Sequence, residues 1–283
     1  MTDNEWVKRT ASEVEVRVAA RRADSPEMPP SAATEHFEVQ DGVETKILRD
    51  GRFEFADRAS RLRRRPRVFA NVELHACVLS CAFFARHPTR SAVVRNVRVH
   101  GGEVWSMHLE GTILDTVQIS HLRWGDVIFA RGARFRHVTL TGRLGALSIQ
   151  QLPLRTRSES DTHTWSNAID DYYREVDWAL DIRGATFREL DIRAGAIPAR
   201  LIRRDPATSA VVTRRHAEAA KLDDIDFGTS PFKISIEMLL ESNAEDTLLV
   251  ASRSKQRGDL EVIRQLREAG IADVAPSQPE PTR

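Results

Sequence analysis

Large apolar residues recur at every fifth position through the middle of the chain. The column runs from Phe69 to Phe129, and Thr89 is its one polar member. A second column, two positions earlier, runs from Val72 to Val127 and is small or apolar almost throughout. A period of five fits neither an α-helix, at 3.6 residues, nor a flat strand, at 2. The pattern therefore predicts a backbone that turns a corner every five residues.

The period shifts in places and resumes after an interruption. It slips by one residue after Phe129 and returns near Gly142, and a second block reads LDIRG, ATFRE, LDIRA and GAIPA over residues 180–199. His87 and Thr89 break both columns beside Pro88, which predicts a bulge or a loop there.

These columns resemble the pentapeptide-repeat family, whose motif is a small residue, any residue, a large apolar residue and two mostly polar ones. The resemblance covers residues 67–154 and 180–199, and the Asp usual after the small residue is present at Asp181 and Asp191. It implies a mainly β fold, a right-handed quadrilateral β-helix with four pentads per coil and both columns pointing inward.

A coil of four pentads places residues 20 apart on adjacent rungs, where opposite charges attract. Three of the five acids between residues 67 and 154 face an Arg at that spacing, which supports a 20-residue coil. The pairs are Glu103 with Arg123, Glu110 with Arg90, and Asp115 with Arg95.

The flanks of the repeats predict caps, because a solenoid exposes strand edges at both ends. Short strand-like runs meet at Asp41-Gly42 and Asp50-Gly51, both typical hairpin turns. We therefore divide the chain into a weakly ordered segment 1–35, an N-terminal β cap 36–66, the β-helix 67–199 with a helical insertion 155–179, a C-terminal α/β cap 200–275, and a tail 276–283.

The insertion is rich in aromatic residues. It reads WSNAIDDYYREVDWA and contains Trp165, Tyr172 and Tyr173. Two interpretations are open: the aromatic side chains pack back onto the coils, or they protrude as partner-binding anchors, which are commonly Trp and Tyr.

Charge is unevenly distributed along a chain whose formal net charge is +1. Residues 67–154 hold ten Arg and five acids, so the repeats are basic and their flanks acidic. The best-understood pentapeptide-repeat proteins are acidic DNA mimics that bind DNA gyrase, and a DNA mimic needs a dense negative field. The sign here argues against that activity.

A basic cluster lies where the register slips, at Arg131, Arg134, Arg136 and Arg143. Such clusters are commonly solvated or pair with nearby acids. They also bind acidic proteins or nucleic acid, and a protein is favoured here because no aromatic stacking platform is interleaved.

Catalytic motifs are missing from the sequence. There is no Gly-rich phosphate loop, nucleophile elbow or metalloprotease helix, and Cys77 and Cys81 have no matching ligand pair for zinc. We expect no cofactor. No run of 18 apolar residues and no signal-peptide core occur, so we expect a cytoplasmic protein without a membrane segment.

These features together predict a non-catalytic interaction scaffold that binds a protein partner through a rigid solenoid face and the aromatic insertion. The candidate binding residues are Trp165, Tyr172 and Tyr173, followed by Arg131, Arg134 and Arg136. Two alternatives stay open: a modulator of topoisomerases or nucleic acid, by family analogy, and a carbohydrate-active β-helix enzyme.

Overall fold

The computed structural model describes residues 17–18, 34–40, 43–50, 52–56, 68–85, 87–153, 158–220 and 222–273. Most of the predicted weakly ordered segment 1–35, and the whole of the tail 276–283, lie outside the described residues.

The described chain is mainly β. Its strands are β1 (Arg17–Val18), β2 (Thr34–Gln40), β3 (Val43–Arg49), β4 (Arg52–Ala56), β5 (Val68–His75), β6 (Val78–Phe84), β7 (Val93–His100), β8 (Glu103–Glu110), β9 (Ile113–Ser120), β10 (Arg123–Trp124), β11 (Val127–Arg131), β12 (Arg134–Gln150), β13 (Leu180–Ile192), β14 (Ile202–Arg203), β15 (Ser209–Thr213) and β16 (Asp246–Val250). Its helices are α1 (Glu159–Arg174), α2 (Arg214–Ala219), α3 (Phe232–Glu241) and α4 (Gln256–Glu268).

The strands form one large, mostly parallel sheet built as two stacks. Strands β3, β5, β7 and β9 form the first stack, and β4, β6, β8 and β11 form the second. The long strands β12 and β13 take part in both stacks. Paired residues of neighbouring strands in a stack are about 20 to 25 positions apart in the sequence: Val68 pairs with Val93, and Val93 pairs with Ile113.

Left-handed backbone conformations recur at matching places in successive passes. One series with positive φ lies just after the first-stack strands, at Asp50, Ala76, Gly101 and His121, and continues within β12 at Gly142. A second lies within them, at Asn71, Asn96, Thr116 and His137. The Asn96 side chain donates to Asn71 Oδ1 at 2.9 Å. Positive φ angles therefore occur at corresponding positions of successive strands. The two series lie five residues apart, which is the interval of the apolar columns in the sequence.

The two apolar columns form the core between the stacks. Leu74, Val94 and Leu114 of the large column, and Val97 and Val117 of the small one, are buried. The interruption at His87 and Thr89 is confirmed, because both residues are exposed around a 3-10 turn at Pro88–Arg90.

The N-terminal region differs from the predicted cap. Strands β2 and β3 form the antiparallel hairpin expected at Asp41-Gly42. The hairpin expected at Asp50-Gly51 is wrong, since β3 pairs in parallel with β5 while β4 pairs in parallel with β6. Asp50, at φ 51°, is one of the recurring corners. The parallel stacks thus begin near residue 43, and only β2 and β1 are antiparallel additions at this end.

The C-terminal region forms an α/β unit with its own core, in which α3, α4, β15 and β16 bury Ile236, Leu239, Leu249 and Ile263. It contacts the end of the sheet through β13: Ile192 pairs with Leu248, and the Arg253 amide donates to the Phe187 carbonyl at 2.8 Å. Within the described residues, no helix has the length and apolar character needed to cross a membrane.

Candidate protein-interaction surface

The inserted helix α1 docks on the sheet through one aromatic face. It begins at Ser158, whose Oγ accepts from the Asp161 amide at 3.0 Å. Trp165, Ile169 and Tyr173 are spaced four apart and are all buried. A Cβ on Gly111 would lie 2.6 Å from the Trp165 ring. A glycine at 111 thus lets the indole approach the sheet backbone.

The two tyrosines of α1 face the start of β12. The Tyr173 hydroxyl accepts a hydrogen bond from the Phe135 amide at 3.3 Å, and burial raises its pKa far above the ordinary value. Burial also raises the pKa of Tyr172, to about 12. The rings meet edge to face, with centroids 5.4 Å apart.

Arg134 lies under Tyr172 with its guanidinium 5.5 Å from the ring centroid. It is buried and donates to the Pro88 carbonyl at 2.9 Å and to Ser91 Oγ. Burial lowers its pKa, an effect that the neighbouring tyrosines oppose. The hydrogen bonds of Arg134 therefore link the 3-10 turn at Pro88–Arg90 to β12.

Arg136 belongs to an ion-pair ladder across three neighbouring strands. Asp115 accepts from Arg95 Nε at 2.8 Å on one side and from Arg136 Nε and Nη2 at 2.9 and 2.6 Å on the other. Burial alone would raise the pKa of this carboxyl, but the two guanidinium groups hold it below its ordinary value. The Asp115–Arg95 pair predicted from the 20-residue spacing is confirmed.

The structure corrects the expectation of protruding aromatic anchors. Trp165 and Tyr173 are 3% and 2% exposed, and the Tyr172 hydroxyl is buried. Their apolar area is removed from water by the sheet itself, so these rings pack back onto the sheet. Arg134 is equally inaccessible, at 6% exposure.

Three of the six candidates stay partly accessible: Tyr172, Arg131 and Arg136. Both arginines have internal partners. Arg136 binds Asp115, as described above. Arg131 Nε donates to Gln150 Oε1 at 3.1 Å, and its guanidinium stacks 4.1 Å from the Phe129 ring centroid. Four candidates, Arg134, Arg136, Tyr172 and Tyr173, thus meet at the junction of α1 with the sheet, and their contacts stabilise that junction.

A surface groove that residue types alone did not single out lies beside the recurring corners. It has a volume of about 460 Å³ and is lined by His121, Arg123, Gly142, Arg143, Gly184 and Thr186. We call it the corner groove. Gly142, at φ +77°, contributes to its floor, and a Cβ there would lie 2.8 Å from the His121 ring.

The corner groove is electropositive. Arg123 and Arg143 are exposed, and across the described chain neither guanidinium forms an ion pair. Glu103 lies opposite Arg123 in the strand register but forms no salt bridge with it, and the predicted Glu110–Arg90 pair is likewise not formed. No acid lines the groove. The signal that sequence reasoning missed is two Arg residues 20 apart, Arg123 and Arg143.

A larger cavity of about 840 Å³ lies in the C-terminal unit, between the segment 226–230 and the start of α4. Arg253, Lys255 and Asp259 are among the residues that line it, and Lys255 Nζ donates to the Thr229 carbonyl at 2.9 Å. Charges of both signs line this cavity, so it does not present the uniform field of the corner groove.

Among the described residues, no group of three or more His, Cys, Asp or Glu could hold a metal ion. No family model, curated protein or solved structure matches the chain.

Proposed function

We propose that the chain is a non-catalytic interaction scaffold that binds an acidic segment of a protein partner in the corner groove. The architecture in this proposal is a right-handed quadrilateral β-helix of the pentapeptide-repeat type. Two features support it: the parallel partners about 20 to 26 residues apart, such as Val93 with Ile113 and Arg52 with Val78, and the recurring left-handed corners.

The observation that carries the proposal is the pair Arg123 and Arg143. Like charges in adjacent positions of a sheet repel each other. Elsewhere in the sheet, Asp115 on β9 lies between Arg95 on β7 and Arg136 on β12 and binds both. Arg123 and Arg143 form no ion pair among the described residues, so a carboxylate supplied by a partner would be their counterion.

The surroundings of the groove favour a peptide. Parallel pairing of β10 with β8 and of β12 with β13 fixes the backbone that carries the two arginines, which lowers the ordering cost of binding. Gly142 and Gly184 line the groove between the arginines with backbone alone. The aromatic part of the sequence-based hypothesis is dropped, because those rings are buried, and the cytoplasmic location expected from the sequence stays part of the proposal.

Fluorescence anisotropy with a labelled oligo-glutamate peptide tests the groove. We expect the double charge reversal Arg123→Glu/Arg143→Glu to weaken binding at least about tenfold, equivalent to about 1.4 kcal/mol. The matched control is Arg253→Glu/Arg257→Glu, which changes the net charge equally on the C-terminal unit and should change affinity less than about twofold.

Equal loss of affinity in both double variants would show that only net charge matters, and it would overturn the groove assignment. A charge-matched DNA oligonucleotide is the second probe. Tighter binding of the DNA than of the peptide, with the salt dependence of phosphate contacts, would favour the nucleic-acid alternative instead.

A further inference from the structure

Within the described residues, the outer strand β2 has a strand partner on one side only. β2 is the last strand of the sheet path, and it pairs over all seven residues with β3 on one side. No other described strand pairs with it. An edge of this length exposes backbone amides and carbonyls that can template another strand.

The same strand carries exposed apolar side chains. Phe37 and Val39 are 50% and 73% exposed, and they are two of the four exposed large apolar residues in the described chain. Being two apart, they lie on one face of β2. Natural edge strands are commonly protected by Pro or Lys, and β2, which reads TEHFEVQ, has neither.

The charge pattern of β2 is complementary to itself in one register. In an antiparallel pair of two copies centred on Phe37, His36 of each strand faces Glu38 of the other, and all seven residues are paired. Centring the pair on Glu35 or on Glu38 sets Glu against Glu, which is destabilising. The Phe37-centred register also brings the two Phe37 rings together, with Val39 in diagonal reach.

We propose that β2 is a homodimerisation edge, at which a second copy of this chain pairs antiparallel with β2 about a two-fold axis through Phe37. The sheet of one subunit then continues into the sheet of the other. The interface is isologous, so each contact occurs twice. This inference does not rest on the proposed function, because the corner groove lies on other strands.

Sedimentation velocity between about 1 and 500 µM measures the association, since a small strand-pairing interface belongs to the weak class. We expect a concentration-dependent dimer, and Phe37→Lys should raise its dissociation constant at least about tenfold. The matched control Ile234→Lys replaces the exposed apolar residue on α3, which is 61% exposed, and should leave the dimer unchanged.

A charge swap tests the register itself. His36→Glu places Glu opposite Glu of the second copy and should weaken the dimer, whereas the double variant His36→Glu/Glu38→His restores a His opposite each Glu and should recover it. Circular dichroism checks that each variant keeps its strand content. A wild-type chain that stays monomeric across the range, which is the result if residues 1–33 of the chain cover this edge, overturns the proposal. A dimer insensitive to Phe37→Lys overturns it equally.

Discussion

At the scale of single residues, close backbone approach decides which substitutions the sheet tolerates. Gly102 has φ +95°, and a Cβ there would lie 2.2 Å from the Cys77 carbonyl oxygen. The adjacent Gly101 also has positive φ, at +67°, but a Cβ there would meet nothing within 4 Å. Comparing the same substitution at Gly101 and Gly102 therefore separates conformational strain from steric overlap with the backbone.

Gly102→Ala should lower the free energy of unfolding by about 3–5 kcal/mol, since strain and overpacking add. Gly101→Ala should lower it by only about 1–2 kcal/mol, from the left-handed backbone alone. Urea denaturation of both variants checks the difference. Equal losses would show that the Cys77 backbone moves away at little cost.

The Asp115 ladder makes stability depend on pH. The pKa of Asp115 is lower in the folded protein than its ordinary 3.8, so its stabilisation is present above that value and is lost as the pH falls through the folded pKa. Asp115→Asn should cost about 1.5–3 kcal/mol at pH 7, from the lost hydrogen bonds to charged groups, and progressively less in acid. Glu103→Gln, which removes a carboxylate without an ion pair, is the control. A cost for Asp115→Asn that is independent of pH contradicts the ladder.

At the scale of elements, the inserted helix α1 is a packed part of the fold. Its existence and near-boundaries follow from the sequence, because residues 155–179 interrupt the five-residue period. Which side of the helix faces the sheet does not follow, since an exposed and a buried aromatic face have the same spacing. The close approach at Gly111 and the hydrogen bond from Phe135 to Tyr173 decide it.

Trp165→Ala should lower the free energy of unfolding by roughly 3–5 kcal/mol, because it leaves a cavity beside Gly111. Hydrogen exchange should also accelerate in α1, which loses its main apolar contact with the sheet. Asp170→Ala on the exposed side of the same helix should change stability by less than about 0.5 kcal/mol. Similar small effects of both substitutions would mean that α1 does not depend on this contact.

At the scale of the whole molecule, most strands are held by neighbours on two sides. β9 pairs in parallel with β7 and with β12, whereas β15 has β16 as its ladder partner and one isolated bridge to Ala272. Opening β9 therefore disrupts two ladders, and opening β15 disrupts little more than one.

Native-state hydrogen exchange should consequently be at least about tenfold slower for the paired amides of β9 than for those of β15. Mass spectrometry of peptides covering each strand makes the comparison within one sample, and the unfolded-chain rates of the same peptides serve as the reference. Faster exchange in β9 would contradict the two-sided pairing of the stacks.

The sequence by itself determined that the chain is mainly β, because its apolar residues recur at a spacing that does not fit an α-helix. Leu, Val and Ile side chains that recur in columns are buried together when the chain folds. The Asp115–Arg95 ion pair follows from the 20-residue spacing in the sequence. Charge sums and aromatic content, in contrast, did not locate an interaction surface. The location of that surface depended on which side chains are buried in internal contacts. Trp165 and Tyr173 pack α1 onto the sheet and Arg134 binds the 3-10 turn, whereas Arg123 and Arg143 are exposed. Only the tertiary structure decides this, since a side chain's partners come from distant parts of the chain.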